Sequence, residues 1–309
     1  MSPIDLIDAN SWFIIANPTS GNRKFSVLWK EIQQILNENK LAYSFAFTQF
    51  SKHEIELVQK AIQQGFRNFI SVGGDGTLHQ VVNGIMLQRY VKTSDITIGV
   101  IPLGTGNDWI KTYNIPEDIK KSIDIITQKN TILQDIGVLM QKNSIISYFN
   151  NVAGLGYDGY IVQKLNSLKK FGSIAYLLAG LYGLLFYKKG NFKIEFDHKK
   201  IKTRSLMTIF GICRFSGGGM QFTKEVDSSD GFLDITIAKN LTLFDLLFNI
   251  QKLYNGKIVH HPKIETYRSK KITVVPQNPK TIIQADGELI GKGTISVSII
   301  EKAIHFVII

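Results

Sequence analysis

Three glycines lie close together in a segment that could bind phosphate. Gly73, Gly74 and Gly76 fall within four positions, after the apolar run 68–72 and before a helical pattern that starts at Thr77. Because glycine lacks a Cβ, backbone N–H groups here can approach phosphate oxygens, and the start of a helix adds a partial positive charge. A tight strand-to-helix turn would use the same glycines, so this segment alone leaves both interpretations open.

Two further loops rich in Gly, Asn and Thr favour the phosphate interpretation. Asn17–Gly21 (NPTSG) follows the apolar run 13–16, and Pro102–Asp108 (PLGTGND) follows the apolar run 96–101. Loops that leave parallel strands at their carboxyl ends meet at one edge of the sheet, where such sheets bind their ligands. Three such loops therefore indicate a phosphate site rather than three independent turns. The Walker A pattern and the HRD and DFG signatures of protein kinases are absent from the sequence.

The segments that must position these loops alternate strands and helices. Apolar runs predict strands at 13–16, 43–48, 68–72 and 96–101, and helical spacing of apolar residues predicts helices at 24–39, 53–64, 77–86 and 117–128. This βαβα order is typical of a doubly wound, mostly parallel sheet. We therefore predict an α/β N-terminal domain over residues 1–130.

After residue 130 the pattern changes to one rich in strands. Strand-like runs are found at 132–140, 145–152, 192–196, 206–213, 233–238, 272–275, 281–285 and 295–300, and helical patterns at 160–168, 175–187 and 243–254. This composition predicts a β-rich C-terminal domain over residues 131–309, either a sandwich or a partly closed barrel. With two domains, we expect the active site in the cleft between them.

Composition and charge narrow the class of protein. The chain has 309 residues, 44% of them hydrophobic and 20% charged, which is ordinary for a globular protein and excludes a disordered one. Its single cysteine, Cys213, excludes a disulfide scaffold and fits a reducing compartment. The net charge of +11 favours an anionic partner, such as a nucleotide, a nucleic acid or an acidic lipid. Scattered basic residues and the lack of a recognition motif argue against nucleic acid.

The motifs, in this order and spacing, resemble the catalytic domain of the diacylglycerol kinase family. They resemble most closely the soluble bacterial lipid kinases, relatives of sphingosine and ceramide kinases. Nearly the whole chain is covered, because further matching segments are Asp135–Gly137 (D-x-G), Asn150–Asp158 (N-x-x-G-x-G-x-D), Asp230–Asp234 (D-G-x-L-D) and Asp286–Glu288 (DGE). The resemblance implies an N-terminal fold like that of NAD kinases and phosphofructokinases, which share the GGDG segment. Asn22 departs from the lysine that some bacterial members have there.

This resemblance implies that ATP lies across the three loops. The implied nucleotide-binding residues are Asn17, Pro18, Thr19, Ser20, Gly21, Thr48, Gly73, Gly74, Asp75, Gly76, Thr77, Leu78, His79, Gly104, Thr105 and Asn107. Phosphoryl transfer has a loose transition state, so catalysis consists mostly of positioning and of charge neutralisation by Mg²⁺.

Carboxylates are the expected ligands of that Mg²⁺. The resemblance assigns this role to Asp75, Asp108 and Asp135, although an Asp beside a Gly is often only a turn residue. It also implies a structural Mg²⁺ site of the kind found in bacterial members, formed by Asp230 with the backbone carbonyls of Asp227 and Phe232.

The group that attacks ATP would be a lipid hydroxyl, which needs a base to accept its proton. The resemblance points to Asp286 and Glu288 for this role and does not decide between them, and an Asp-Gly hairpin turn explains the local sequence equally well. The implied activity is that of an ATP-dependent kinase of a diacylglycerol-like lipid alcohol. The alternatives are an NAD-kinase-like kinase of a soluble substrate and a non-catalytic regulator that binds nucleotide or lipid.

The predicted C-terminal domain carries residues that suit contact with a membrane. The uncharged run Phe171–Tyr187 is short for a membrane span, lies between two lysine pairs, and fits either a buried helix or one that touches the membrane. Phe244, Leu247, Phe248 and Ile250 form a second apolar face. Residues 1–10 do not resemble a signal peptide. We therefore expect a cytoplasmic protein that visits the anionic inner face of the membrane, and a homodimer is an open alternative to a monomer.

Overall fold

The computed structural model describes residues 10–21, 25–165, 180–196, 199–224 and 226–309. The chain divides into two compact units. The first, here called the N-terminal unit, comprises Met1–Gln134 together with Lys302–Ile309, and the second, the β-rich unit, comprises Asp135–Glu301.

The N-terminal unit is built on a parallel sheet with the strand order β2-β1-β3-β4. Its strands are β1 (Trp12–Ala16), β2 (Tyr43–Phe47), β3 (Asn68–Gly73) and β4 (Thr97–Pro102). Its helices are α1 (Phe25–Glu38), α2 (His53–Gln63), α3 (Asp75–Leu87), α4 (Asp108–Thr112) and α5 (Ile119–Gln128), with one 3-10 turn at Thr93–Asp95.

The central strands are apolar along their whole length because both faces of the sheet are covered. All five residues of β1 are buried, as are five of the six in β3 and in β4. Helix α1 buries the stripe Trp29, Ile32 and Leu36. Gly99 of β4 lets α5 approach closely, since a Cβ there would lie 2.8 Å from the Ile126 side chain.

The β-rich unit contains two larger antiparallel sets of strands and a separate two-stranded sheet. Its strands are β5 (Thr131–Gln141), β6 (Ser144–Phe149), β7 (Val152–Gly156), β8 (Gly190–Phe196), β9 (Lys199–Ser205), β10 (Met207–Gly211), β11 (Phe215–Ser216), β12 (Met220–Gln221), β13 (Leu233–Ala238), β14 (Ile264–Ser269), β15 (Lys271–Pro276), β16 (Ile282–Ala285), β17 (Glu288–Lys292) and β18 (Ile295–Val307). Its helices are α6 (Tyr157–Leu165), α7 (Leu243–Phe248) and α8 (Ile250–Tyr254), with a 3-10 turn at Lys257–His260. One sheet has the order β14-β13-β10-β7-β16-β17, and in the other β18, β15, β8 and β9 are neighbours.

The last strand of the chain begins in one unit and ends in the other. At its start β18 pairs with β15 in the β-rich unit. Near its end, His305 and Phe306 pair in parallel with Thr97 and Ile98 of β4. These pairings explain why Lys302–Ile309 group with the N-terminal unit.

The predicted fold class, an α/β domain with a mostly parallel sheet and a β-rich domain, is confirmed. The strand predicted at 145–152 is two strands, β6 and β7, and the helix predicted at 243–254 is two short helices, α7 and α8. Residues 171–179 of the apolar run Phe171–Tyr187 lie outside the described residues. Within the part of the chain that the structure describes, no helix combines the length and the apolar character that a membrane crossing requires.

Candidate functional site

The three glycine-containing loops are joined directly by hydrogen bonds at one edge of the parallel sheet. The Asn17 amide donates to the Thr77 hydroxyl at 3.2 Å, which links the loop after β1 to the start of α3. The Gly21 N–H donates to the Leu103 carbonyl at 3.0 Å, and the Leu103 N–H donates to the Gly73 carbonyl at 2.8 Å. The structure therefore brings together the three segments that the sequence analysis places at one site.

Glycine is required where two of these loops touch. A Cβ on Gly104 would lie 2.5 Å from the Gly74 Cα, and a Cβ on Gly74 would lie 3.0 Å from the Gly104 Cα. The two backbones are thus in contact, and no larger residue fits without displacing one of them.

The start of α3 presents backbone N–H groups without a side-chain cap. Gly74 is the N-cap residue and supplies no side-chain acceptor. The first N–H groups of a helix have no intrahelical partner, and together with the helix dipole they form an anion-binding position. The residues that contribute them, from Asp75 to Thr77, lie within the predicted nucleotide site.

The loop after β1 is closed by Asn17. Its Oδ1 accepts the Thr19 N–H at 3.0 Å and the Thr19 hydroxyl at 2.7 Å. Pro18 and Thr19 are exposed, and Ser20 is half-buried. Thr48 lies beside this loop, because its N–H donates to the Ala16 carbonyl at 3.0 Å. These positions agree with a loop that reaches over a bound nucleotide.

The loop after β4 is closed in a similar way by Asn107. This residue has a left-handed backbone, with φ of 46°, and its side chain both accepts from the Gly104 N–H and donates to the Gly104 carbonyl. Thr105 is exposed at the tip of the loop. The Asn107 amide thus shapes the loop, and its predicted contact with the nucleotide stays a prediction.

Two of the predicted nucleotide-binding residues point to the protein interior. Leu78 is 2% exposed and His79 is 1% exposed. The Leu78 N–H is already bonded to the Gly74 carbonyl, and the His79 ring lies 3.3 Å from the Asn83 amide. Helical geometry turns these side chains away from the open first turn, and their predicted contact with the nucleotide stays a prediction.

Asp75 and Asp108 bring two carboxylates to the same small space. Oδ2 of Asp75 lies 3.1 Å, and Oδ2 of Asp108 lies 3.9 Å, from the position that a Cβ on Gly106 would occupy. Asp75 also accepts the Asp108 N–H at 3.0 Å and the Trp109 N–H at 3.2 Å, while Lys111 donates to Asp108. Two carboxylates in one small space suit a partly hydrated Mg²⁺, which usually takes one or two protein carboxylates, and the predicted magnesium role of Asp75 and Asp108 stays a prediction.

Asp135 belongs to the β-rich unit and is fully buried there. Its Oδ2 accepts the Gly231 N–H at 2.7 Å, and its N–H donates to the Ser228 carbonyl at 2.8 Å. The structure thus places Asp135 against the loop that contains Asp227 and Asp230. Its predicted role at the catalytic Mg²⁺ stays a prediction.

The predicted structural Mg²⁺ site contains an ion pair. One oxygen of Asp230 accepts the Phe232 N–H at 3.0 Å, and the other pairs with the Arg268 guanidinium. Asp227 accepts the Ser229 N–H and hydroxyl within the same loop. In this arrangement Arg268 is the partner of the Asp230 carboxylate, and the predicted structural Mg²⁺ site stays a prediction.

Asp286 is held by the start of β7. Its carboxylate accepts the N–H groups of Asn150, Asn151 and Val152 at 3.0 to 3.1 Å, and its own N–H donates to the Val152 carbonyl at 2.9 Å. Its backbone is left-handed, with φ of 49°. Glu288 follows at the first position of β17 and is half-buried. Within the described residues its side chain has no hydrogen bond or ion pair.

Gln284, which was not predicted from the sequence, supports this turn. The residue is 2% exposed; its Oε1 accepts the Gly287 N–H at 2.9 Å, and its amide donates to the Asp158 carboxylate. It therefore links the D-G-E turn to the first turn of α6. The signal in the sequence was a single polar residue inside the otherwise apolar run 282–285.

Replacing Gln284 by leucine is expected to lower the free energy of unfolding by about 2–5 kcal/mol, since two buried hydrogen bonds are lost and one involves a charge. Urea unfolding measures this change. Gln277→Leu, at an exposed position, is the matched control and should shift stability by less than about 0.5 kcal/mol. Equal stability of the Gln284→Leu and Gln277→Leu proteins would show that the link is unimportant.

Two protein-family models together match nearly the whole chain. Residues 11–139 match the diacylglycerol kinase catalytic domain, and residues 151–308 match the YegS C-terminal NAD kinase beta sandwich-like domain. A diacylglycerol kinase of Staphylococcus carnosus is 29% identical over 283 residues, which cover 90% of this chain and 89% of the relative. One from Staphylococcus aureus strain MRSA252 is 28% identical over 285 residues, covering 90% and 86%.

Two solved structures from Bacillus anthracis share the fold. One superposes with a TM-score of 0.80 at 19% identity and covers 97% of this chain and 95% of its own. The other, described as a diacylglycerol kinase, has a TM-score of 0.73 at 18% identity and covers 97% of both chains. At these identities the likeness concerns the fold alone.

Proposed function

We propose that this chain, which belongs to the diacylglycerol kinase catalytic-domain family, is a lipid kinase that uses ATP and Mg²⁺ to phosphorylate a diacylglycerol-like membrane lipid. The observation that carries this proposal is the set of three hydrogen-bonded loops around the uncapped start of α3. Such a site suits a polyphosphate, and the family supplies the lipid alcohol as the group that attacks it.

In this proposal the N-terminal unit binds and orients ATP. The backbone N–H groups at the start of α3 hold phosphate oxygens, and the exposed residues of the two neighbouring loops close over the nucleotide. Asp75 and Asp108 would hold Mg²⁺ directly or through bound water. When bound, the ion supplies positive charge that offsets the charge on the transferring phosphoryl group.

We assign the proton acceptor to Glu288 rather than to Asp286. The Asp286 carboxylate accepts three backbone N–H groups, which fix the turn. Glu288 lies two residues after Asp286, and within the described residues its carboxylate accepts no backbone N–H group. The lipid hydroxyl gives its proton to Glu288 while its oxygen forms a bond to the γ-phosphorus. The bond from that phosphorus to the β,γ-bridging oxygen breaks, and ADP leaves with the bonding electron pair.

The test is transfer of labelled γ-phosphate from ATP to lipid alcohols in mixed micelles, with NAD as a parallel acceptor. The panel contains diacylglycerol, monoacylglycerol, phosphatidylglycerol, a sphingoid base and ceramide. We expect a phosphorylated diacylglycerol in the presence of Mg²⁺ and none after chelation. Phosphate on NAD would instead assign a soluble substrate. Nucleotide binding without transfer to any acceptor would assign a regulatory role.

A further inference from the structure

The β-rich unit exposes large apolar side chains on two segments. In α7, Phe244 is 69% and Phe248 is 84% exposed, and Leu247 lies between them. In residues 180–187, Tyr182, Leu185 and Phe186 are each more than 60% exposed. Single exposed apolar residues are ordinary on protein surfaces, whereas a cluster of six marks a site of interaction.

Both segments contribute to one hydrophobic cluster of the β-rich unit. Leu181 and Leu246 are buried members of one hydrophobic cluster, and Leu184, Tyr187 and Leu243 pack against it from the same two segments. The exposed residues therefore lie on two segments whose inner side chains belong to one cluster. A burial-raised pKa of about 12 for Tyr187 reflects this packing.

Helix α7 is firmly fixed in spite of its exposed apolar face. Thr242 and Asp245 form a capping box at its start, and Lys263 donates to the Asp245 carboxylate at 2.6 Å. Its phenylalanines are therefore presented on an anchored element. Such a face is suited to a partner that receives apolar side chains without itself having a fixed shape.

A row of basic side chains lies on the β8–β9 hairpin. Lys193 pairs directly opposite Lys202, and Arg204 lies opposite Asn191 in the same register. Like charges at directly opposed positions are unfavourable. Lysines on an edge strand such as β9 also prevent sheet-to-sheet association. That role does not explain Lys193, which lies on the inner strand β8 opposite Lys202. An anionic surface facing the hairpin would relieve the repulsion.

The basic row continues the chain closely after the segment 180–187, because β8 of the hairpin begins at Gly190. Burial lowers the pKa of Lys189, the positive charges of Arg204 and Lys263 lower it further, and Asp245 of α7 acts in the opposite direction. Lys189 is thus within electrostatic reach of both the hairpin and α7. In the sequence it lies three positions after Phe186, the last of the exposed apolar residues of this segment.

We propose that these residues form a docking surface for a bilayer that contains anionic lipid. The docking surface consists of Tyr182, Leu185, Phe186, Lys189, Lys193, Lys202, Arg204, Phe244, Leu247 and Phe248. Apolar side chains would enter the interface while the basic row contacts headgroups, as at the anionic inner face of a membrane. The inference rests on the proposed function insofar as a lipid substrate requires access to a bilayer.

A bilayer is the occupant that the charges favour over a second copy of the chain. In a symmetric dimer the same patch is used on both subunits. A dimer built on the docking surface would bring the basic row of one copy towards that of the other. Anionic headgroups meet the basic row with opposite charge, and fluid acyl chains accept phenylalanine side chains of any spacing.

The test is co-sedimentation with vesicles of phosphatidylcholine, with and without phosphatidylglycerol. Wild-type protein should bind the vesicles that contain phosphatidylglycerol more tightly than the vesicles of phosphatidylcholine alone. The triple variant Phe244→Ser, Leu247→Ser, Phe248→Ser and the double variant Lys193→Glu, Lys202→Glu should each bind at least about tenfold more weakly. Val27→Ser and the pair Lys30→Glu, Lys60→Glu alter exposed residues of the N-terminal unit and should bind like wild type.

Turnover of a dispersed, short-chain diacylglycerol separates this inference from the proposed function. The docking variants should retain that turnover, which also shows that they fold. If they turn over the short-chain lipid and bind anionic vesicles as wild type does, the docking surface is wrong and the kinase proposal stands. If the wild-type protein phosphorylates no lipid, and the variants bind anionic vesicles more weakly than the wild type does, the kinase proposal fails and the docking surface stands. A change of oligomeric state in place of vesicle binding would assign the surface to a second copy.

Discussion

Replacing Asp75 by asparagine is expected to reduce phosphoryl transfer by about a hundredfold or more, because one fixed negative charge beside the phosphates is lost. In the structure this carboxylate has two tasks. It accepts the N–H groups of Asp108 and Trp109, which begin α4, and it shares the space beside Gly106 with the Asp108 carboxylate. Asparagine retains one acceptor oxygen, so it keeps part of the first task and removes the charge needed for the second.

Two measurements separate these tasks. The free energy of unfolding should fall by about 1–3 kcal/mol, the cost of one unsatisfied backbone N–H. The Mg²⁺ concentration that supports half-maximal activity should rise, which a purely structural defect would not cause.

Asp118→Asn provides the matched control for Asp75→Asn. Asp118 also accepts a backbone N–H at a helix start, that of Lys121 at 2.9 Å, but it is exposed and lies outside the three loops. Because Asn and Asp are equally good N-cap residues, its replacement should change stability by no more than about 0.5 kcal/mol and leave turnover within about twofold. Wild-type turnover and Mg²⁺ dependence in the Asp75→Asn protein would reduce Asp75 to a helix cap.

The N-terminal unit could be predicted closely from the sequence because its signals are local. Buried parallel strands are continuous apolar runs, and amphipathic helices repeat every three to four residues. Helix α4 was not predicted, because its five residues are too few to show that periodicity. The pairing of His305 and Phe306 with β4 could not be predicted either, since it joins residues more than two hundred positions apart.

The candidate site likewise has features that local sequence patterns predict and features that they do not. The meeting of the three loops follows from their positions after parallel strands, which local patterns reveal. The ion pair of Asp230 with Arg268 and the hydrogen bond from Gln284 to Asp158 depend on side-chain partners remote in sequence. The closure of a loop by Asn107 involves Gly104, only three positions away, but a hydrogen bond of this kind leaves no periodic pattern in the sequence. Leu78 and His79 were assigned to the nucleotide because they belong to a motif, and helix geometry turns them inward.

Replacing Glu288 by glutamine is expected to lower kcat by about a hundredfold to ten-thousandfold, the contribution of a positioned general base. Glutamine has the same shape but cannot take the proton from the lipid hydroxyl. Because Glu288 has no hydrogen bond or ion pair within the described residues, its replacement should leave the unfolding free energy within about 0.5 kcal/mol of wild type. The KM for ATP should also be unchanged, since Glu288 serves the lipid and not the nucleotide in this assignment.

Asp286→Asn tests the other half of the assignment. Asparagine tolerates the left-handed backbone at this position. However, one amide oxygen cannot replace a carboxylate that accepts three N–H groups, so at least one donor among Asn150, Asn151 and Val152 loses its partner. We expect kcat and the unfolding free energy to fall together, the latter by about 1–3 kcal/mol.

The two variants therefore have different signatures. A kinetic defect at full stability identifies the residue that takes the proton, and a combined defect identifies the residue that holds the turn. Glu195→Gln, at an exposed strand position of the same unit, controls for the change of glutamate to glutamine and should affect neither quantity strongly. If Asp286→Asn were fully stable and inactive while Glu288→Gln turned over normally, the roles would be reversed. The three N–H groups at Asp286 would then serve to orient the base itself.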